Sequence, residues 1–429
     1  MQVTPAQALA GTVQPPGDKS ISHRALMLGA IASGQTVVKN FLPAQDCFST
    51  WQCLEHLGVK ISSPDHYQTV LVEGRGLNGL QEPEQVLDAG NSGTTIRLLL
   101  GLLSGQQFFS VLTGDASLRR RPMDRVVKPL QAMGAQIAGR QAASRAPLAV
   151  QGGKLNAISY HLPVASAQLK SALMLAGLYC QGVMEIEEPV PTRDHTEKML
   201  QYMEVAIYKE QNWLRLPGGQ QPVGKEICVP GDISAAAFFL VAAACLPGSR
   251  LVCRNVGLNP ARTGIIDILK QMGARLEIRN QRLYGMEPVG DIYIESSPLQ
   301  AVVIAGETIP RLIDEIPALA IAAARASGVT VIKDAAELRV KESDRIAAVV
   351  KLLNNLGVKA QETPDGMIIH GTDQPFRPAE LDSYGDHRIA MAGAIAGLMA
   401  QAPVTIRQPE CMAISFPDFE NILLSLRTQ

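Results

Sequence analysis

Cations and hydroxyls gather at a series of points where the sequence predicts that helices begin. In the first, Pro15-Pro16-Gly17-Asp18-Lys19-Ser20-Ile21-Ser22-His23-Arg24, two prolines and a glycine end an extended segment. Asp18 or Ser20 then suits the N-cap of a helix whose apolar positions follow through residue 30. Lys19, Ser20, Ser22 and Arg24 crowd its first turn, where unpaired backbone N–H groups and the positive end of the helix dipole already favour an anion. A phosphate is the simplest ligand for such a turn.

The pattern recurs. Gly90-Asn91-Ser92-Gly93-Thr94-Thr95-Ile96-Arg97 opens a helix predicted over residues 96–103, with Gly93 allowing close approach to the backbone. Residues 119–125 hold four arginines, whose forked guanidinium groups suit carboxylate and phosphate. Ser166, Gln168 and Lys170 sit at another helix start, Thr192 to Thr196 precede one more, and Asp314 stands before an alanine-rich helix. Lys341, Glu342 and Arg345 share a helical face, and Asp386-His387-Arg388 heads a small-residue helix. Each could be a capping group or a solvated ion pair. Together they suggest a cleft, lined by helix N-termini, for two strongly anionic small molecules.

The elements that must position these groups repeat. Leu54…Leu57-Gly58-Val59, Leu130…Met133-Gly134-Ala135, Leu200…Met203-Glu204-Val205, Leu269…Met272-Gly273-Ala274 and Leu353…Leu356-Gly357-Val358 are five copies of one pattern. In each, two apolar residues share a helix face and a strand follows; glycine supplies a left-handed cap in four of the five. Copies lie 76, 70, 69 and 84 residues apart, too long for an ordinary solenoid unit, so each is read as a small α/β subdomain. A sixth copy would place its helix at residues 419–426 and take a strand from residues 3–13, bringing the termini into one domain. Six units divide three and three: a first lobe over residues 21–229, and a second over residues 1–20 and 230–429.

Composition bounds the rest. A chain of 429 residues exceeds one ordinary core. Lys+Arg 39 against Asp+Glu 40 provides no field for nucleic acid or a membrane surface, so anionic substrates must meet local clusters. Seven cysteines without a C-x-x-C pair suggest neither a disulfide framework nor a metal site and point to a reducing cytosol. The apolar run at residues 235–246 is too short to span a bilayer and reads as a buried helix. Gly74-Arg75-Gly76-Leu77-Asn78-Gly79 matches a dinucleotide fingerprint, but Pro83 interrupts the helix that motif requires, so a turn is expected.

These motifs, in this order and over nearly the whole chain, resemble the set of the 5-enolpyruvylshikimate-3-phosphate (EPSP) synthase family. The resemblance implies an α/β enolpyruvyl transferase fold of two similar domains, each of three βαβαββ-type units, closing over the substrates. It implies transfer of the enolpyruvyl group of phosphoenolpyruvate to the 5-hydroxyl of shikimate 3-phosphate, with phosphate released. By the same resemblance, Lys19, Ser20, Arg24, Ser166, Gln168, Asp314 and Lys341 bind shikimate 3-phosphate. Lys19, Gly93, Arg121, Gln168, Arg345 and Arg388 bind phosphoenolpyruvate. Asp314 matches the family's proton acceptor and Glu342 its proton donor, with Lys19 touching both substrates. No cofactor or metal is implied, no nucleic acid or membrane is a partner, and a cytoplasmic monomer is expected.

The sequence also departs from many family members. Ala167 replaces a second serine, Glu337 an asparagine, and Ile414 a lysine; Lys170 and Arg193 are candidates to restore lost charge. These departures resemble the second of the family's two sequence classes. Two other readings compete. A UDP-N-acetylglucosamine enolpyruvyl transferase carries a reactive cysteine in the loop corresponding to residues 115–121, which hold none here. A non-catalytic repeat scaffold would have no need to pair Asp314 with Lys341 and Glu342. Lys341 and Arg345 favour the ionised form of Glu342, so its proton is expected to arrive only after bound anions neutralise those cations.

Overall fold

A computed structural model describes residues 1–428. The chain forms two compact units. The terminal unit comprises Met1–Pro16, Pro230–Leu283 and Pro288–Gln429; the middle unit comprises Gly17–Val229 with Tyr284–Glu287. The division falls four residues before the expected boundary at residue 20, so Lys19 and Ser20 lie in the same unit as Arg24. It also assigns the tip of one terminal-unit hairpin to the middle unit, which no sequence pattern indicated.

Three sheets of the middle unit and two of the terminal unit have four strands; the terminal unit's third has three, and a two-stranded parallel pair, Leu155–Asn156 with Cys180–Gln181, is added in the middle unit. Leu87–Asp88 runs parallel to Phe109–Thr113, which pairs antiparallel with Arg145–Gln151, itself antiparallel to Gln136–Gly139. The parallel pair requires a crossover, and the helix Gly93–Ser104 supplies it. The same order links Ser159–His161, Val183–Glu187, Trp213–Pro217 and Tyr208–Glu210. In the terminal unit it links Val303–Ile304, Val329–Ile332, Gly366–His370 and Ala360–Thr363.

Distant chain segments complete the remaining sheets. Glu226–Cys228 lies parallel to Gln35–Lys39, and Ala10–Val13 lies parallel to Arg250–Gly257. Gln2–Val3 pairs with Val404–Arg407, while Leu9 bridges Arg427, so both ends of the chain meet in the terminal unit. The residue after each repeated helix has positive φ in all five copies: Gly58, Gly134, Glu204, Gly273 and Gly357. Glu204 therefore adopts a backbone conformation that the other four copies give to glycine.

Six similar helices each lead into a strand that has a parallel neighbour in its sheet. In the middle unit they are α1 (Lys19–Ala30), α2 (Gly93–Ser104) and α3 (Ala167–Gly177); in the terminal unit, α4 (Ile233–Cys245), α5 (Ile316–Arg325) and α6 (His387–Gly397). Their sequences are rich in alanine, glycine and leucine and are buried almost all round, as helices surrounded by protein must be. Small residues set the spacing. A Cβ at Gly101 of α2 would lie 2.2 Å from the carbonyl oxygen of Ala172 on α3, so only glycine permits that approach. Each unit has its own apolar core. Residues 74–79 form a turn with no helix, as Pro83 implied. No described helix is long and apolar enough to cross a membrane.

Candidate active-site clusters

In the middle unit, the first turns of the three inner helices carry the predicted residues. Asp18 caps α1 by accepting from the Ile21 N–H at 2.9 Å, which settles the choice between Asp18 and Ser20. Ser92 caps α2 through the Thr95 N–H at 3.1 Å, starting that helix three residues before the predicted position. Ser166 caps α3 through the Leu169 N–H at 3.4 Å. Each cap satisfies one amide and leaves others in its turn for a ligand.

Around α1, Lys19 Nζ donates to Asp46 Oδ2 at 3.0 Å. Arg24 is buried and oriented by three acceptors: Ser20 O at 2.8 Å, Thr196 Oγ1 at 2.7 Å and Ser171 Oγ at 2.7 Å. Around α2, a Cβ on Gly93 would lie 2.8 Å from Arg97 Nη1 and 3.4 Å from Arg121 Nη1, so two guanidinium groups flank the bare glycine. Arg121 donates to Asn91 Oδ1 at 2.6 Å, and Arg97 donates to Gln168 Oε1 at 2.7 Å. Gln168 in turn donates to Thr94 Oγ1 at 3.1 Å. Gly93, Arg121 and Gln168 thus belong to one cluster. Of the arginine run, Arg119 and Arg120 are exposed, whereas Arg121 is buried and joins this cluster.

Lys170 does not fill the role suggested for it. Its side chain is wholly buried, with Nζ 2.8 Å from Glu188 and 2.6 Å from Glu197. Burial acts to lower its pKa, but Glu197 and Glu188 prevail and raise it. Its charge is committed inside the unit and cannot replace one lost at the surface of a site.

In the terminal unit, Asp314, Lys341, Glu342, Arg345 and Arg388 converge. Arg345 is the hub: only 1% exposed, it donates to Asp386 Oδ2 at 2.8 Å, Glu342 Oε2 at 2.6 Å and Asp314 Oδ1 at 3.3 Å. Burial opposes its charge, yet Asp386, Glu342 and Asp314 outweigh that cost and raise its pKa. Burial likewise pushes the Asp386 carboxyl upward, but Arg345 holds it below the ordinary carboxylate range. Asp386 also caps α6 through the Arg388 N–H at 2.9 Å and accepts from Ser343 Oγ at 3.0 Å. Arg388 Nη1 donates to the Asp314 carbonyl at 2.8 Å. Lys341 Nζ stands 3.8 Å from Asp314 Oδ1, and burial of the ammonium holds its pKa below the usual lysine value despite that carboxylate.

Several participants were not among the expected site residues. Asp386, Arg97 and Thr196 lie inside motifs that drew attention for other members, so their positions carried a signal. Ser171 closes the motif that starts at Ser166, whereas Asp46 lies in ordinary helical sequence, and only the packing reveals what it holds. Among the described residues, no group of three His, Cys, Asp or Glu side chains could hold a metal ion.

The buried guanidinium and its three carboxylates sit on a repeated α/β unit whose fold is that of enolpyruvyl transferases. The NikO enolpyruvyl transferase from Streptomyces tendae has this fold: it superposes with a TM-score of 0.81 over 99% of this chain and 96% of its own, at 16% identity. The sequence narrows the class. The profile of EPSP synthase (3-phosphoshikimate 1-carboxyvinyltransferase) matches residues 3–423, and the chain belongs to that family. The 3-phosphoshikimate 1-carboxyvinyltransferase of Desulforudis audaxviator is 55% identical over 429 residues, covering both chains entirely. That of Pelotomaculum thermopropionicum is 54% identical, over 99% of this chain and 98% of its own. The structure of EPSP synthase from Acinetobacter baumannii matches with a TM-score of 0.88 and 47% identity, covering 99% of this chain and 98% of that one.

Proposed function

We propose that the protein transfers the enolpyruvyl group of phosphoenolpyruvate to the 5-hydroxyl of shikimate 3-phosphate and releases phosphate. The observation that carries this reading is the placement of Asp314 and Glu342 on one guanidinium, Arg345, at 3.3 and 2.6 Å. Enolpyruvyl transfer needs a base for the attacking hydroxyl and an acid for the methylene carbon, both within reach of the same bound anion. Full-length relatives named for this activity support it.

In this mechanism Glu342 donates a proton to C3 of phosphoenolpyruvate, and positive character develops at C2. The 5-hydroxyl oxygen bonds to C2 while Asp314 accepts its proton. The C–O bond to phosphate then breaks, phosphate leaves with the bonding pair, and the Glu342 carboxylate takes a proton back from C3 to restore the double bond. Lys19, Ser20, Arg24, Ser166, Gln168 and Lys341 hold shikimate 3-phosphate; Lys19, the Gly93 turn, Arg121, Gln168, Arg345 and Arg388 hold phosphoenolpyruvate. Fixed cations offset the repulsion between two anions before the reaction begins, with no reorganisation during it. Bound phosphate and carboxylate compete with Glu342 for the charge of Arg345 and Lys341, which favours proton uptake by Glu342 in the substrate complex.

Replacing Glu342 by Gln keeps the size of the side chain and its acceptor for Arg345 but removes the transferable proton. A coupled phosphate assay should show kcat reduced about 10²- to 10⁴-fold, with substrate affinity retained. Unchanged turnover would exclude Glu342 as the acid.

A further inference from the structure

His23 lies in the first motif of the chain, yet the reaction gives it no task. It is fully buried on α1, one helical turn beyond Lys19. Its Nδ1 is 2.7 Å from Thr50 Oγ1; Thr50 Oγ1 is 2.7 Å from Thr95 Oγ1; and Thr95 Oγ1 donates to Ser92 Oγ at 2.8 Å. Ser92 is the N-cap of α2. Four side chains thus form an unbroken line from α1 to the turn that carries Gly93.

The helix Gln45–His56 stands between the two turns as a spacer. It meets α1 at two rungs, Asp46 with Lys19 and Thr50 with His23, each pair four residues apart on its own helix and therefore on one face. Thr50 then continues to Thr95 of α2.

Proton bookkeeping fixes the direction of the line. Each hydroxyl has one proton to give. Thr95 gives its proton to Ser92, so Thr50 must give its own to Thr95, and His23 must supply the N–H that Thr50 accepts. His23 is therefore the neutral Nδ1–H tautomer. Its Nε2 is buried with no hydrogen-bond partner among the described residues. Burial, then Lys19 and Arg24, keep the ring well below its ordinary pKa, which agrees with the neutral form. A residue kept for packing alone would gain from losing that unpaired nitrogen; what an apolar side chain could not provide is the donor at Nδ1.

We propose that His23 is a positioning residue: through Thr50 and Thr95 it fixes the separation between the first turn of α1 and the first turn of α2. The inference rests on the functional reading above, in which these turns bind shikimate 3-phosphate and phosphoenolpyruvate respectively. The line then sets the gap between the two reacting molecules. A change in that gap alters the alignment of the 5-hydroxyl with C2 more than it alters the grip on either anion. A misplacement of about 1 Å costs on the order of a hundredfold in rate, so the effect belongs in kcat.

Steady-state kinetics of the full-length chain test this with His23→Phe, Thr50→Val and their combination. Thr50→Val is nearly isosteric and guards against failure of the bulkier variant to fold. Each single variant should lose about 10- to 100-fold in kcat, with KM for each substrate within about threefold of the parent. The double variant should be no slower than the slower single, because either break severs the same line. His23→Asn, whose amide nitrogen can occupy the Nδ1 position and donate, should recover most of the rate. Parental kcat in Thr50→Val, or equal rates for the Asn and Phe variants, would overturn the proposal. Histidine-selective ¹⁵N NMR gives a readout that does not need turnover: the resonance lost in His23→Asn should report a protonated Nδ1 and a bare Nε2, and an Nε2–H or a charged ring would also overturn it. A chain with the expected tautomer that releases no phosphate sinks the functional reading instead.

Discussion

Arg345 carries one positive charge into contact with three carboxylates, and that imbalance shapes the chemistry around it. With Asp386 capping α6 and buried beneath the guanidinium, Asp314 and Glu342 are left to share the remaining donors. Lys341 stands near the Asp314 carboxylate, and Arg388 donates to the Asp314 main-chain carbonyl. In the middle unit the residue-level counterpart is Gly93, where two arginines flank an absent side chain. Gly93→Ala would push its Cβ to 2.8 Å from Arg97 Nη1, the mobile end of a long side chain, so the fold should tolerate the change. The displaced guanidinium would lose its bond to Gln168. We expect KM for phosphoenolpyruvate to rise about tenfold, which corresponds to ~1.4 kcal/mol, with KM for shikimate 3-phosphate far less affected; equal changes in both would place the turn elsewhere in the reaction.

His23 gives a stability prediction with a definite sign. Its pKa in the folded state is lowered, with Lys19 and Arg24 on its own helix adding to burial, while Asp46 on the facing helix is paired with Lys19. In the unfolded chain it titrates near ~6.5. Below that pH the unfolded state binds the extra proton, so stability falls as pH drops from about 6.5 towards the depressed folded value. Urea denaturation of His23→Asn should lack this part of the slope between pH 7 and 5. An identical pH dependence in the parent would show that His23 is not buried neutral.

At the scale of elements, the repeat was legible because its physics is local. An apolar pair on one helix face, a left-handed cap and a following strand leave a mark in every copy. Gly58, Gly134, Gly273 and Gly357 all have positive φ, as the caps required. Glu204 does so without being glycine, and its exposed carboxylate pairs with the half-buried Lys225. Glu204→Gly should relieve backbone strain of roughly 1–2 kcal/mol, partly offset by greater freedom of glycine in the unfolded chain. The denaturation midpoint should rise; a fall would mean that the ion pair outweighs the strain.

The partnerships were not legible, because they depend on which helices face one another. Nothing in the sequence of Gln45–His56 indicates that Asp46 meets Lys19 or that Thr50 meets His23. Lys170 shows the converse: its place at a helix start resembled that of a ligand-binding cation, yet Glu188 and Glu197, distant in sequence, occupy it. The sequence could indicate where charge would gather. It could not indicate which charges were already neutralised.

For the whole molecule, both units are built from the same repeat and both present cations at helix starts, but their chemistry differs. The middle unit offers caps, hydroxyls and guanidinium groups suited to holding anions; the terminal unit holds Asp314 and Glu342 on one guanidinium, the pair proposed above to move protons. The reaction proposed above is enolpyruvyl transfer, in which carbon–oxygen bonds change and the phosphorus–oxygen bonds of phosphoenolpyruvate do not. The most direct test supplies phosphoenolpyruvate labelled with ¹⁸O at the oxygen bridging C2 and phosphorus, together with shikimate 3-phosphate, and locates the label by mass spectrometry. We predict that phosphate is released only when shikimate 3-phosphate is present and that it carries the ¹⁸O. Release without that acceptor, or label retained in the three-carbon product, would contradict the account.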